Sequence, residues 1–84
     1  MAAFEKTRDA FRQREGTFPY RDFRRLLKGL GYDELKRGKS GGARRKFYNR
    51  KINDMIILDE PHNGEMRPKM VKRLQDQLRA KGLL

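Results

Sequence analysis

Apolar residues recur with helical spacing in three segments of the chain. Phe4 and Phe11 predict a short amphipathic helix over residues 3–14, which Gly16 ends. The second apolar stripe predicts a helix over residues 20–30, and its members are Tyr20, Phe23, Leu26, Leu27 and Leu30. Thr17 is a candidate cap for this helix, Pro19 suits its first turn, and Gly31 ends it. The third stripe predicts a helix over residues 69–81 before Gly82, and its members are Met70, Val71, Leu74 and Leu78.

Three other segments predict strands, over residues 32–37, 43–49 and 55–58. Alternation along the second strand sends Arg45 and Phe47 to one face. It sends the side chains of Arg44, Lys46 and Tyr48 to the other face. The third strand is a continuous apolar run, which indicates a well-covered position in a sheet.

The element order is therefore helix, helix, three strands and a final helix. Short connections between the strands favour an antiparallel sheet of three strands with the helices packed on one face, which is an α+β fold. A chain of 84 residues has the length of a single small domain. We expect one domain over residues 1–84, with residues 1–16 as an N-terminal helical extension.

Composition adds a strong charge to this outline. The chain has 22 Lys and Arg against 11 Asp and Glu, so its formal net charge is +11. Such a charge attracts nucleic acid, an anionic membrane surface or an acidic protein. The absence of cysteine excludes disulfides and thiolate metal sites. No apolar run approaches the roughly 18 to 20 residues of a membrane span, and residues 1–14 lack a signal-peptide core, so we expect a cytoplasmic protein without a membrane partner.

Basic and aromatic residues alternate after the glycine-rich loop over residues 38–42. The candidate RNA-binding residues are Lys39, Arg44, Arg45, Lys46 and Tyr48. Cations neutralise phosphates and an aromatic ring stacks on an unpaired base, which favours RNA binding. The competing interpretation is an edge strand that its charges keep soluble.

His62, the only histidine, follows Pro61 in a loop. A free histidine titrates at roughly 6.5, which suits general acid–base catalysis. RNA cleavage through the 2′-hydroxyl needs an acid and a base near the phosphate, and His62 is the candidate for one of them. The alternatives are a histidine that anchors the turn, or a metal cluster with Asp59, Glu60 and Glu65. Their spacing matches no metal motif, so we expect neither a metal nor a cofactor.

Several segments taken together resemble the HicA family of bacterial toxins. They are the helix that ends in Leu30-Gly31, the glycine loop that leads into Ala43-Arg44-Arg45-Lys46-Phe47, the strand Met55 to Leu58, the dipeptide Pro61-His62 and the terminal Lys81-Gly82-Leu83-Leu84. The resemblance implies a double-stranded-RNA-binding-domain-like fold and a metal-independent endoribonuclease that cleaves mRNA. It also implies a HicB-like antitoxin that neutralises the toxin.

The chain departs from the family at one position. Many members carry Gly-Ser-His on the basic strand, and that histidine is taken as catalytic. Here Gly42, Ala43 and Arg44 stand at those positions, so the family's histidine is missing. Three interpretations follow: His62 takes over the proton transfer, Arg44 stabilises charge in the transition state beside another base, or the chain does not cleave RNA. The functional hypotheses are thus a toxin endoribonuclease, a non-catalytic RNA- or DNA-binding module, and a basic protein that binds an acidic partner.

Overall fold

The computed structural model describes residues 2–36 and 42–84, which contain three helices and five strands. The helices are α1 (Ala2–Arg12), α2 (Tyr20–Gly29) and α3 (Pro68–Ala80). The strands are β1 (Phe18–Pro19), β2 (Tyr32–Glu34), β3 (Arg44–Asn49), β4 (Asp54–Asp59) and β5 (Glu65–Met66). The protein is therefore a small α+β protein, as its hydrophobic pattern predicts.

Strands β2, β3 and β4 form an antiparallel sheet in that order, with β3 in the middle. The predicted three-stranded antiparallel sheet is confirmed. Strands β1 and β5 form a separate antiparallel pair of two residues each, which pairs Phe18 with Met66 and Pro19 with Glu65. This pair was not predicted, because two residues are too few to show the alternation that identifies a strand.

The position of β4 differs from the prediction. It is an edge strand, and its apolar run is covered on one face only: Ile56 and Leu58 are buried, while Met55 and Ile57 are 39% and 42% exposed. The prediction of a well-covered strand was wrong, because the helices cover only one face of the sheet. The interpretation of the basic strand as an edge strand was also wrong, because β3 has a partner on each side.

The core lies between the covered face of the sheet and the helices. The ring of Phe11 contacts those of Phe18 and Phe23, with centroid distances of 5.0 and 5.1 Å. Aromatic pairs at such distances stabilise a core by more than the burial of their apolar surface alone. The buried apolar residues are Phe11, Phe18, Tyr20, Phe23, Leu26, Leu27, Tyr32, Phe47, Ile56, Leu58, Met66, Val71, Leu74 and Leu78.

Helix α1 is an integral part of this domain. Its residue Phe11 is buried in the core, and hydrogen bonds connect the end of α1 to α3. Gln75 Nε2 donates to the carbonyl oxygens of Phe11 and Arg14, each at 2.8 Å. Arg79 donates to the carbonyl oxygen of Arg12 at 2.8 Å. Because Gln75 is buried, losing these acceptors would leave an amide unsatisfied at a cost of about 1–3 kcal/mol.

The residue that caps the start of α2 differs from the prediction. Pro19, and not Thr17, is the N-cap, because the β1–β5 pair holds Pro19 in an extended conformation. Gly31 follows the helix with a φ of 103°, in the region that favours glycine. A Cβ atom at Gly31 would lie 3.1 Å from Asn49 Nδ2, and this amide donates to the carbonyl oxygen of Leu30. Gly31 therefore lets β3 pass close to the helix end.

Tyr32 and Asp54 form a buried polar pair at the end of the sheet. The Tyr32 hydroxyl donates to Asp54 Oδ2 at 2.5 Å, and Gln77 and Lys81 of the α3 end approach the same carboxylate at 3.3 and 3.5 Å. Burial, followed by this hydrogen bond, raises the pKa of Tyr32 well above its ordinary value. The pair thus fixes β2 against β4.

Within residues 2–36 and 42–84, no helix has both the length and the apolar character needed to cross a membrane.

Candidate nucleic-acid interface

The face of the sheet opposite the helices is open. On β3, Phe47 and Asn49 point into the protein, while Arg44, Lys46 and Tyr48 point outward. The prediction of which side chains share a face is therefore confirmed. We call this outward surface the open face.

Strand register arranges the open face in cross-strand rows. Tyr48 lies between Asp33 of β2 and Met55 of β4, and Lys46 lies opposite Ile57. Leu35, whose N–H donates to the carbonyl oxygen of Lys46 at 2.9 Å, extends the second row. The described residues have four exposed large apolar side chains, and three of them, Leu35, Met55 and Ile57, are in these rows. The fourth, Ile52, is in the turn between β3 and β4.

Tyr48 is the aromatic member of the open face. It is half-buried, and its hydroxyl is 2.7 Å from Asn53 Oδ1 in the following turn. Asn53 adopts a φ of 51°, a conformation that asparagine tolerates better than most residues. The hydrogen bond orients the phenol ring across the hairpin, with part of it left accessible.

The two outward cations of β3 are available to a ligand. Arg44 pairs with Asp59 across the strands at 3.7 Å, but both side chains are largely exposed. Exposed pairs of this kind contribute only about 0–1 kcal/mol, so a phosphate can replace Asp59 at little cost. Lys46 is exposed, and none of the ion pairs among the described residues includes it.

Arg45 lies on the other face and has a different environment. Its side chain is only 13% exposed, with Glu34 at 3.7 Å and Glu60 in direct contact. Arg45 also donates to the carbonyl oxygen of Gly42 at 3.2 Å. These contacts join β2, β3 and the end of β4, so we assign Arg45 to the fold and not to the interface. Lys39, the remaining predicted RNA-binding residue, lies outside the described residues.

His62 lies in an open cleft of about 610 Å³ beyond the end of β4. The cleft is lined by Thr17, Ala43, Asp59, Glu60, Pro61, His62, Asn63, Glu65, Arg67 and Met70. It therefore brings together His62 and Ala43, the residue directly before Arg44. The His62 side chain is exposed, and no hydrogen bond among those of the described residues fixes its ring.

Backbone contacts hold the His62 loop beside the start of β3. The N–H of Glu60 donates to the carbonyl oxygen of Ala43 at 2.7 Å, and that of Gly64 donates to Pro61 at 3.3 Å. The carbonyl oxygen of Gly64 in turn accepts the N–H of Tyr20 at 2.9 Å. The loop is thus anchored to β3 on one side and to the start of α2 on the other.

Two charged residues of the cleft were not predicted to act with His62 in catalysis: Arg67 was not predicted as a site residue at all, and Glu65 was considered only as a metal ligand. Arg67 is the N-cap of α3, and Glu65 is in β5. Neither residue forms an ion pair within the described ranges, so both charges face the cleft without a partner. Their only sequence signal is closeness to His62, and it is weak because the path of the loop decides which side chains meet.

The metal interpretation gains no support from the geometry. In the part of the chain that the structure describes, no group of three or more His, Asp and Glu side chains is arranged to hold a metal ion. Glu60 is turned toward Arg45, and Asp59 toward Arg44.

Comparison of the chain with protein-family models, curated proteins and solved structures gave no match. The fold and the site define a class, namely a small α+β protein with an open sheet face that carries Arg44, Lys46 and Tyr48, and a histidine-containing cleft at its end. The HicA resemblance rests on the sequence motifs alone.

Proposed function

We propose that this protein is the toxin of a type II toxin–antitoxin system, a metal-independent endoribonuclease that cleaves mRNA in the cytoplasm. The observation that carries the proposal is the cleft that His62 shares with Ala43. Ala43 and Arg44 stand where HicA-like toxins carry Ser-His, so a histidine reaches the same region from another loop. A double-stranded-RNA-binding-domain-like arrangement of sheet and helices is part of the proposal.

The cleft has the groups that RNA cleavage requires. A base removes the proton of the 2′-hydroxyl, the 2′-oxygen attacks phosphorus, and the bond to the 5′-oxygen breaks as an acid protonates it. His62 supplies one of these two groups, and the unpaired carboxylate of Glu65 is the candidate for the other. Arg67 of the cleft, together with Arg44 at the adjoining end of the open face, would stabilise the negative charge that develops on the phosphate oxygens.

The open face would hold the RNA on either side of the reacting phosphate. Lys46 and Arg44 neutralise backbone phosphates, and Tyr48 presents an aromatic surface to an unpaired base. The apolar rows beside them also suit a protein partner, because interfaces use apolar anchors that exclude water. We propose that a HicB-like antitoxin covers this face.

The test is a cleavage assay on a long single-stranded RNA in EDTA. General acid–base catalysis contributes about 10² to 10⁴-fold, so His62→Ala should lower the cleavage rate by about a hundredfold or more. Arg67→Gln should also lower it. Lys69→Gln is the matched control, because it removes the same charge two residues away, outside the lining of the cleft.

A non-catalytic RNA- or DNA-binding module is the second candidate. The observation in its favour is Arg44 itself, a residue that binds phosphate but cannot act as a base at neutral pH. This candidate predicts salt-sensitive RNA binding by the unmodified chain without cleavage. Equal cleavage by the unmodified chain and His62→Ala would refute the assigned role of His62.

A further inference from the structure

Helix α2 carries a second basic surface, separate from the open face and the cleft. Arg21, Arg25 and Lys28 are exposed, and their spacing of four and three residues places them on one side of the helix. The opposite side is buried in the core through Tyr20, Phe23, Leu26 and Leu27. We call the three cations the α2 stripe.

Nearby acids neutralise several cations of α1 and α3 but, among the described residues, no member of the α2 stripe. On α1, Arg12 pairs with Asp9, and on α3, Lys72 and Arg79 pair with Asp76. On α2 the sole acidic residue is Asp22. Among the ion pairs of residues 2–36 and 42–84, none includes a member of the α2 stripe.

A groove runs beside the stripe, between α2 and β2. It has a volume of about 420 Å³ and is lined by Arg21, Arg24, Arg25, Lys28, Tyr32, Asp33, Glu34 and Phe47. Arg24 is already oriented there, because it donates to Glu34 at 2.8 Å and lies 5.8 Å from the centre of the Tyr20 ring. Glu34 is thereby neutralised, which leaves Asp33 as the one acidic residue of the lining without an ion pair.

The chemistry of the groove favours a phosphate backbone over a protein surface. Protein interfaces need exposed apolar or aromatic anchors. The apolar residues that line this groove, Tyr32 and Phe47, are buried, and the exposed large apolar side chains of the described chain lie elsewhere. Arginine binds phosphate with two parallel hydrogen bonds, so a row of unpaired arginines suits phosphate oxygens.

We propose that the α2 stripe is a second RNA-binding surface, which contacts the sugar–phosphate backbone outside the cleft. This inference rests on the proposed function in that its ligand is RNA. From Arg21 to Lys28 the helix rises about 10 Å. A stripe of this length has room for more than one backbone phosphate, and each of its cations can contact one.

The experiment measures RNA affinity as a function of salt concentration. It uses a labelled single-stranded RNA and the His62→Ala protein, so that the RNA stays intact. In this background, Arg21→Gln/Arg25→Gln is compared with Lys6→Gln/Lys72→Gln, which removes the same charge from exposed positions on α1 and α3. Arg21→Lys/Arg25→Lys keeps the charge at the stripe.

Each lost phosphate contact reduces the slope of log K against log salt by about 0.7 for a single strand. Arg21→Gln/Arg25→Gln should therefore make the slope shallower by about 1.4 and weaken binding. The α1–α3 control and the lysine variant should keep the original slope. Equal slopes for all four proteins, or an equal loss in the control, would overturn the inference.

This result is separable from the cleavage assay. A slope change without cleavage by the unmodified chain would support the stripe and refute the ribonuclease. Cleavage with an unchanged slope would do the opposite. No RNA binding at low salt would refute the stripe.

Discussion

Replacing Arg45 by glutamine tests the division between the residues that stabilise the fold and the residues that we propose to bind RNA. The Arg45 side chain is only 13% exposed. It forms an ion pair in direct contact with Glu60, and a second one with Glu34 at 3.7 Å. Arg24 continues to neutralise Glu34 in the variant, so the loss falls mainly on Glu60. A hydrogen bond to a charged group contributes about 1.5–3 kcal/mol.

Because Glu60 is itself 40% exposed, water recovers part of this loss, and we expect Arg45→Gln to cost about 2 kcal/mol. A domain of 84 residues has a free energy of unfolding of about 4–13 kcal/mol, so the change is easily measured. Urea denaturation followed by circular dichroism gives the stability. Salt titration of RNA binding gives the number of phosphate contacts.

Lys46→Gln is the matched variant on the open face. It should leave stability within about 0.5 kcal/mol, as is usual for exposed positions, and should make the salt slope shallower by about 0.7. Arg45→Gln should show the reverse: lower stability and an unchanged slope. An unchanged stability together with a shallower slope for Arg45→Gln would refute our assignment of Arg45 to the fold.

Two further predictions concern the core. Among the described residues, the buried Tyr20 hydroxyl has no hydrogen-bond partner. Tyr20→Phe should therefore leave the stability at neutral pH unchanged or raise it by up to about 1–3 kcal/mol, and a clear loss in urea denaturation would reveal a partner. Burial, and after it the nearby charge of Glu34, raises the pKa of Tyr20 to about 12. The unfolded chain therefore loses this proton first, and the free energy of unfolding falls as the pH rises from about 10 to 12. Tyr20→Phe should remove up to about 2.7 kcal/mol of that fall, and identical alkaline stability profiles for the two proteins would contradict this prediction. A Cβ atom at Gly29 would lie 2.2 Å from the Phe4 ring, so Gly29→Ala should displace Phe4 and speed amide hydrogen exchange in the first turns of α1. The effects of Gly29→Ala and Phe4→Ala should then be less than additive, and additive effects would show that the two residues do not interact.

The sequence was most informative where side chains repeat with a regular period. The stripe that contains Phe23 and Leu27 locates α2, and alternation along β3 separates Lys46 from Phe47. The same alternation could not reveal that Arg45 is paired, because Glu34 lies in β2 and Glu60 follows the end of β4. The continuous run of β4 misled the prediction, since apolar composition does not tell whether one or both faces of a strand are covered.

The cleft was the least predictable part of the site. Glu65 and Arg67 line it because the β1–β5 pair and the bond from Tyr20 to Gly64 set the path of the loop after His62. These contacts join residues about 45 positions apart, and no local pattern encodes them. His62 is a candidate because of its chemistry, which depends on residue type and not on the path of the chain.

The β4 edge of the sheet restricts how a ligand or partner can approach. An edge strand normally offers free backbone groups for pairing with another strand. On β4, Gln77 donates to the carbonyl oxygen of Met55 at 3.1 Å and Arg73 donates to that of Ile57 at 3.4 Å. These α3 side chains occupy the acceptors that an added strand would use, so binding through the open face is favoured over binding at this edge. RNA and an antitoxin that both use the open face would compete for Lys46 and Tyr48, and such an antitoxin could block RNA binding without contacting His62.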